Sequence, residues 1–538
     1  MASISNNIHT QLTELAKFDI SHGIKQKFKK RLTRATDYAY IHEGFYLDLS
    51  KTHISDELMR VYMDYAQEID FIGQRKSFLS GERINNSENR SVLHTLLRDE
   101  KNQGIEMANN EVLQEAENSK TQFFTQYQAI QVKLQKREIP VKNIIHVGIG
   151  GSALGTQLVF EALKGVDSAI NIHFVGNIDA HQLVDIVSKC DVESTLVIGV
   201  SKTFSTAETL QNLDSIVDWF KGNGVEAPLD NFYGVTANAT KAKEYGIASE
   251  NTVSFPEWVG GRYSVWSSVS LSVSLVIGWA KFEEFLAGAA KMDAYFYTSE
   301  LNENVCFLAA MMDHYYCNYM ESKSKAVFAY DFRLRSLVDY LQQLETESNG
   351  KDRQRNGDLV DQKTSPVVWG GVGTDVQHSV FQMLHQGTSL IPSEFILVKH
   401  PEHNLIEHHR ELLANGLAQS AALLSGQDLN KVNSLYGNDG LSDVTKKAKI
   451  FTGDRPSTTL IIEKLNAHSL GTLLAFYEHR TYCFGIFTNI NSFDQMGVEL
   501  GKLLATQVKP LLSQNRRTQK SVEDLDQSTL NLLEQINN

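Results

Sequence analysis

Proline and cysteine are both scarce: eight and four respectively in 538 residues. The cysteines, Cys190, Cys306, Cys317 and Cys483, lie far apart and show no paired zinc spacing. A reduced, cytoplasmic setting is the simple reading. Basic surplus is missing as well. The net charge is −13, whereas nucleic acids and membrane surfaces call for a basic footprint, so neither partner is expected. No long hydrophobic run occurs. The most apolar stretch, "VWSSVSLSVSLVIGWA", is laced with serines and too short to span a bilayer comfortably. The opening "MASISNNIHTQL" lacks the basic-then-apolar layout of a signal peptide. So few prolines against 35 glycines also exclude collagen and low complexity. What remains is an ordinary globular balance, 42% hydrophobic and 21% charged. The chain is too long for one core, and two domains are expected.

The first hundred residues read as mostly helical, with "GFYLDLS" as a short strand. From about Val141 the rhythm becomes strand, turn, helix. "NIIHVGIGG", "INIHFVGN", "STLVIGVS" and "NFYGVT" each lead into an amphipathic segment. A mainly helical stretch follows, from Trp258 to Glu321. The alternation resumes with "AVFAY", a helix from Arg333 to about Glu347, "SPVVWG", a helix through "VQHSVFQMLHQG", and "SEFILVKH". "TTLIIEKL" and two long helices come after it, the second opening near "DQMGVELGKLLA". Short continuous apolar strands between amphipathic helices predict parallel sheets covered on both faces. The fold class is therefore α/β, with two such units in tandem. The last segment, "SVEDLDQSTLNLLEQINN", reads as a polar tail with one weakly amphipathic helix.

Ligands of open parallel sheets sit beyond the carboxyl ends of the strands. "SKTFST", residues 201–206, lies at such an end. Ser201 and Thr203 can donate hydroxyl hydrogens, Lys202 adds a cation, and the next helix offers free N–H groups at its start. These parts describe a pocket for a phosphate monoester. Capping would account for one or two hydroxyls, since Ser and Thr commonly start helices. "GIGGSALG", residues 148–155, is a second glycine-rich turn between strand and helix, but it is neither G-x-G-x-x-G nor a P-loop. Its glycines allow close approach to the backbone, and Ser152 would face a ligand there; a plain tight turn is the other reading.

In "YLQQLETESNGK", Gln343 and Glu347 are four apart and share a helix face. A glutamate at a helix end suits a general base, or is simply solvated. His378 and His385 lie seven apart on one helix, each a proton carrier or a satisfied buried histidine. "KHPEHNLIEHH" collects His400, His403, His408 and His409 without recognised metal spacing; adjacent His408 and His409 would point apart on a helix. Lys502 stands three after Glu499, the spacing of a routine helix ion pair.

The joint wording of these pieces resembles the glucose-6-phosphate isomerase family, also called phosphoglucose isomerase. The likeness covers "NNSENRSVLHTLLR", "GIGGSALG", "SKTFSTAETLQN", "GGRYSVWSSV", "ETESNGK", "GTDVQHSVFQMLHQGT", "HHRELLANGLAQSAAL" and "FDQMGVELGKLLA", in the family's order, from about residue 80 to 510. The resemblance implies two SIS-type (sugar isomerase) α/β/α sandwich domains with parallel sheets, a helical N-terminal segment and a C-terminal tail. The smaller domain would take 116–285, the larger 1–115 and 286–510, and the tail 511–538. Departures from the family pattern are Thr346 for Met, Asp375-Val376 for Asn-Gly, Met496 for Trp and Asp454 for Asn. Asp375 brings a carboxylate near His378.

Activity and roles follow from the same resemblance: reversible isomerisation of glucose 6-phosphate and fructose 6-phosphate through a cis-enediol(ate), in glycolysis and gluconeogenesis. Glu347 would move the proton between C2 and C1. Arg262 would stabilise the anionic intermediate, since a guanidinium stays charged. His378 and Lys502 would serve ring opening, with His378 reaching across a homodimer. Gly151, Ser152, Ser201, Lys202, Thr203, Phe204, Ser205 and Thr206 would bind the phosphate end, and Gln343 the sugar near its reacting carbons. No metal and no cofactor are implied. Two rivals are a non-catalytic SIS-domain sugar-phosphate-binding regulator, which predicts loss of the glutamate, arginine or histidine, and a metal-dependent aldose isomerase using the stretch 400–409.

Overall fold

In the computed structural model the described residues are 5–98, 110–166, 168–437, 439–512 and 525–537. Among them eleven strands form two sheets. β1 (Ala39–His42) and β2 (Phe45–Asp48) make an early hairpin. β3 (Asn143–Val147), β4 (Asn171–Val175), β5 (Thr195–Val200), β6 (Phe232–Thr236) and β7 (Thr252–Ser254) come next, then β8 (Ser324–Tyr330), β9 (Val367–Val372), β10 (Ser393–His400) and β11 (Ser457–Lys464). β5 and β6 are buried along their whole length, as expected of apolar runs without alternation.

The first sheet is all parallel, in the order β4-β3-β5-β6-β7. The chain starts in β3, steps outward to β4, and returns past β3 to β5. The winding therefore reverses between β3 and β5, and loops leaving those two strands flank an open crevice. The second sheet runs β1-β2-β11-β10-β8-β9. Its four parallel strands repeat the same winding, with the reversal between β8 and β10. The hairpin extends it antiparallel, β2 lying against β11. The α/β class with two parallel-sheet units is thus observed, and this antiparallel edge is the departure from the parallel sheets expected.

Apolar helices lie between the sheets' sequence blocks and after the last strand. Ala467–Phe487 is buried on every face and packs against Trp279–Thr298 and Val305–Asn318. Its contact with Trp279–Thr298 is so close that a Cβ on Gly288 would lie 1.8 Å from the His468 carbonyl oxygen. Two other expectations shift. The helix foreseen from Arg333 to Glu347 is a 3₁₀ turn, an α segment Leu337–Leu341 and then a π segment Gln342–Glu347. The helix near "DQMGVELGKLLA" is ten residues long, Glu499–Val508.

The chain forms two compact units, Met1–Ser492, which holds both sheets, and Phe493–Asn538. In the second, Asn537 Nδ2 donates to the Leu511 carbonyl at 2.9 Å, joining the tail helix Gln527–Asn537 to the segment after Glu499–Val508. No helix among the described residues is long and apolar enough to cross a membrane.

Candidate active site at the first switch point

The loop after β5 is built from hydroxyl pairs. Ser201, buried, lies with its Oγ 3.0 Å from Thr206 Oγ1, and Ser205 donates to Thr203 Oγ1 at 2.8 Å. Each pair uses one hydroxyl hydrogen internally and leaves the other to donate outward. Thr206 is the N-cap of Ala207–Gly222, yet its side chain makes no capping bond, so capping does not account for the cluster. The helix start adds its partial positive charge. Phe204 holds the turn: its backbone is left-handed (φ 49°), its N–H returns to the Ser201 carbonyl, and its ring is buried in the first sheet's core. Lys202 donates one Nζ hydrogen to the Val259 carbonyl at 3.1 Å. Burial, then nearby Arg90, holds its pKa below the ordinary lysine value, against the pull of Glu88 and Glu257. A cation so desolvated gains from meeting a phosphate.

Across the crevice, the loop after β3 turns through Gly150–Ser152. A Cβ on Gly151 would sit 2.2 Å from the Gly261 carbonyl carbon and 2.6 Å from Arg262 N, so only glycine fits. Ser264 Oγ donates to the Gly151 carbonyl at 3.1 Å. His146, wholly buried on β3, bonds the Ser152 carbonyl through Nε2 at 2.7 Å and Ser272 Oγ through Nδ1 at 2.9 Å. The carbonyl fixes the proton on Nε2, and burial pushes the imidazole pKa down to about 4.

Beside this loop lies the acidic group. Arg262 is 3% exposed. Its Nε donates to Ser348 Oγ at 2.6 Å and its Nη2 to the Ser492 carbonyl at 2.7 Å. Tyr263 OH stands 2.8 Å from the same Ser348 Oγ. With these partners fixing its plane, Arg262 Nη1 lies 3.5 Å from Glu347 Oε2. Gln343 Nε2 donates to that oxygen at 2.9 Å. Both residues belong to the π segment, a helical widening that recurs at functional sites. The Glu347 side chain is 22% exposed against 2% for Arg262, so the carboxylate is the member open to a ligand.

Gly151, Ser152, Arg262, Gln343 and Glu347 are thus gathered by contacts around one loop, with the 201–206 loop on the neighbouring strand. His378 is exposed on Gln377–Gln386, as is Asp375 before it. His385 on the same helix is instead partly buried and bonds Gln419 Oε1 at 3.1 Å. Lys502 lies on Glu499–Val508 of the second unit and is exposed. In the histidine-rich stretch, His400 pairs with exposed Glu463, and His409 turns inward to the Lys399 carbonyl while His408 faces out. Sequence reasoning passed over Ser348, Ser492 and His146. Ser348 stood inside a motif already singled out, but a carbonyl at Ser492 leaves no trace in residue type.

The phosphoglucose isomerase family model matches residues 48–533. A glucose-6-phosphate isomerase of Erythrobacter litoralis is 42% identical over 468 residues, covering 87% of this chain and 86% of that one. The Zymomonas mobilis glucose-6-phosphate isomerase is 40% identical over 483 residues, 90% of each chain. The crystal structure of a glucose-6-phosphate isomerase from Chlamydia trachomatis superposes with a TM-score of 0.85 at 29% identity, over 100% of this chain and 99% of that one.

Proposed function

The chain belongs to the phosphoglucose isomerase family, and from that premise we propose how it interconverts glucose 6-phosphate and fructose 6-phosphate. The phosphate lies between the two loops of the first switch point. There it meets the hydroxyls of Ser201, Thr203, Ser205, Thr206 and Ser152, the Gly151 backbone and Lys202; Phe204 shapes the turn. Binding this unreactive end orients C1 and C2 of the opened sugar against Glu347, and such positioning supplies several kcal/mol of rate enhancement. Glu347 removes the C2 proton of the aldose, and the enediolate receives it back at C1. Arg262 stabilises the negative oxygen that develops between these steps. Gln343 orients the carboxylate and the sugar hydroxyls.

Ring opening takes an acid and a base at the hydroxyl and ring oxygens, and these roles fall to His378 and Lys502. His378 reaches the site from the second copy of a homodimer, which suits its exposure. The two sheets are the cores of two SIS-type domains, 116–285 and the remainder to 510, and the enzyme works in the cytoplasm.

The single observation that carries this reading is Glu347 and Gln343 on one π segment beside the buried Arg262. It also disfavours a non-catalytic sugar-phosphate-binding regulator, which has no use for that base. The test incubates pure protein with fructose 6-phosphate and excess chelator, and follows glucose 6-phosphate through a coupled dehydrogenase. Product is expected, with deuterium at C2 in heavy water. Absence of product would reject the assignment, and dependence on added metal would favour the metal-assisted rival.

A further inference from the structure

Behind the π segment lies a buried chain of charges that the reaction itself does not touch. Glu345, between Gln343 and Glu347, turns inward and is 6% exposed. Its Oε2 is 2.7 Å from Nζ of Lys325 on β8, and that nitrogen is also 3.0 Å from Asp313 Oδ2. Asp313, on Val305–Asn318, is gripped by both Nε and Nη2 of Arg480 at 2.7 and 2.8 Å. Arg480, on Ala467–Phe487, extends Nη1 to Glu394 of β10 at 2.6 Å, and Tyr477 OH donates to the same carboxylate. One ionic chain therefore links two core helices and two central strands to the segment carrying the base.

We infer that Lys325 and Glu345 are positioning residues for the isomerisation. By drawing Glu345 inward they fix the π segment so that Gln343 and Glu347 face the crevice beside Arg262. The inference rests on the isomerase reading and deepens it.

Stability alone is a poor account of this arrangement. Buried ion pairs are commonly no better than well-packed apolar side chains of similar volume. In this ionic chain three carboxylates face two cations, and Glu345 Oε1 has no hydrogen-bond partner among the described residues. Burial accordingly holds the Glu345 carboxyl above the usual carboxylate range, despite the opposing pull of Lys325. Such a costly group is better explained by the geometry it imposes. Gln342, exposed at the start of the segment, donates to the Val368 carbonyl of β9 at 3.0 Å. The π segment is thus tied to the sheet at Val368 and at its β8 register partner Lys325.

The test compares wild type with Glu345→Gln, Lys325→Met and Lys325→Arg, measuring kcat and KM for fructose 6-phosphate alongside melting temperature. Displacing a reacting group by an ångström costs about a hundredfold. Glu345→Gln and Lys325→Met are expected to lose about that much kcat with KM unchanged, and Lys325→Arg to recover most of the loss. Folded Glu345→Gln with wild-type kcat would overturn the inference. So would a fall in melting temperature with kcat intact, or unfolding of Glu345→Gln at the assay temperature, because either assigns the pair to stability. Wild-type protein that makes no glucose 6-phosphate would remove the isomerase reading, and this inference with it, before any variant is compared.

Discussion

The two sheets share one winding, yet their switch points are finished in opposite ways. Between β3 and β5 the loops present glycine backbone, paired hydroxyls and a desolvated lysine, with carboxylate Glu347 reached through a third element. Beyond β8 and β10 the loop ends instead pair the protein's own charges. Arg333, just after β8, bonds Asp331 beside it, Glu402 after β10 at 2.7 Å, and the Leu465 carbonyl after β11 at 3.2 Å. Lys464 also faces Glu402, at 3.5 Å. The same topology thus occurs twice, with different side chains at its two reversals: hydroxyls and a lysine at one, paired opposite charges at the other. Fold alone does not place a site.

The strongest challenge to that contrast exchanges one carboxylate at each reversal. Glu347→Gln is expected to lower kcat by about 10²–10⁴-fold, the usual contribution of general acid–base catalysis, and to abolish deuterium uptake from heavy water. Glu402→Gln should leave both unchanged; equal losses would erase the distinction. The cations come next. Lys202→Met removes a charge-assisted contact worth about 1.5–3 kcal/mol, so KM for fructose 6-phosphate should rise about 10- to 100-fold. Arg333→Met should leave KM where it was and lower only the melting temperature.

Acid sharpens the comparison least. Burial lowers His146, beneath the open crevice, to about 4, and likewise His314 to about 4 and His53 to about 3. Each stays neutral in the fold but takes up a proton on unfolding once the pH is below its ordinary value near 6.5. Stability is therefore full above that value and is lost as pH falls toward 4, by about 1.4 kcal/mol per pH unit for each histidine. Urea titrations across this range should show His146→Gln with a shallower decline than wild type; parallel curves would deny the histidine its part.

Much of this was readable in the residues, for a definite physical reason. β3 to β6 and β8 to β11 are apolar runs between turn signals. Burial on both faces writes that pattern in the central strands such as β5 and β6, and it persists in the less buried edge strands β4 and β9. β7 has three residues, too few for any period. β1 is an edge strand whose Ile41 is 74% exposed, so no buried face marks it. The hydroxyl loop and Glu347 were visible as residue types at an element's end. The π segment was not, because one inserted residue per turn changes no composition. Lys325 and Glu345 were equally hidden: each reads as an ordinary solvated charge in its own element, and only the packing of β8 beneath the segment turns both inward.

The hairpin at the start of the chain completes a sheet made at its end, Asp48 pairing with Thr459 and Phe45 with Ile462. During synthesis β2 must wait, one rim open, until nearly the whole polypeptide has left the ribosome. The first sheet draws all its strands from one contiguous stretch and suffers no such delay. Nascent chains stalled beyond residue 330 should resist proteolysis across 143–254 while the hairpin is still cut, and early protection of the hairpin would contradict this order. The enzyme's opening segment is then the last to find its place.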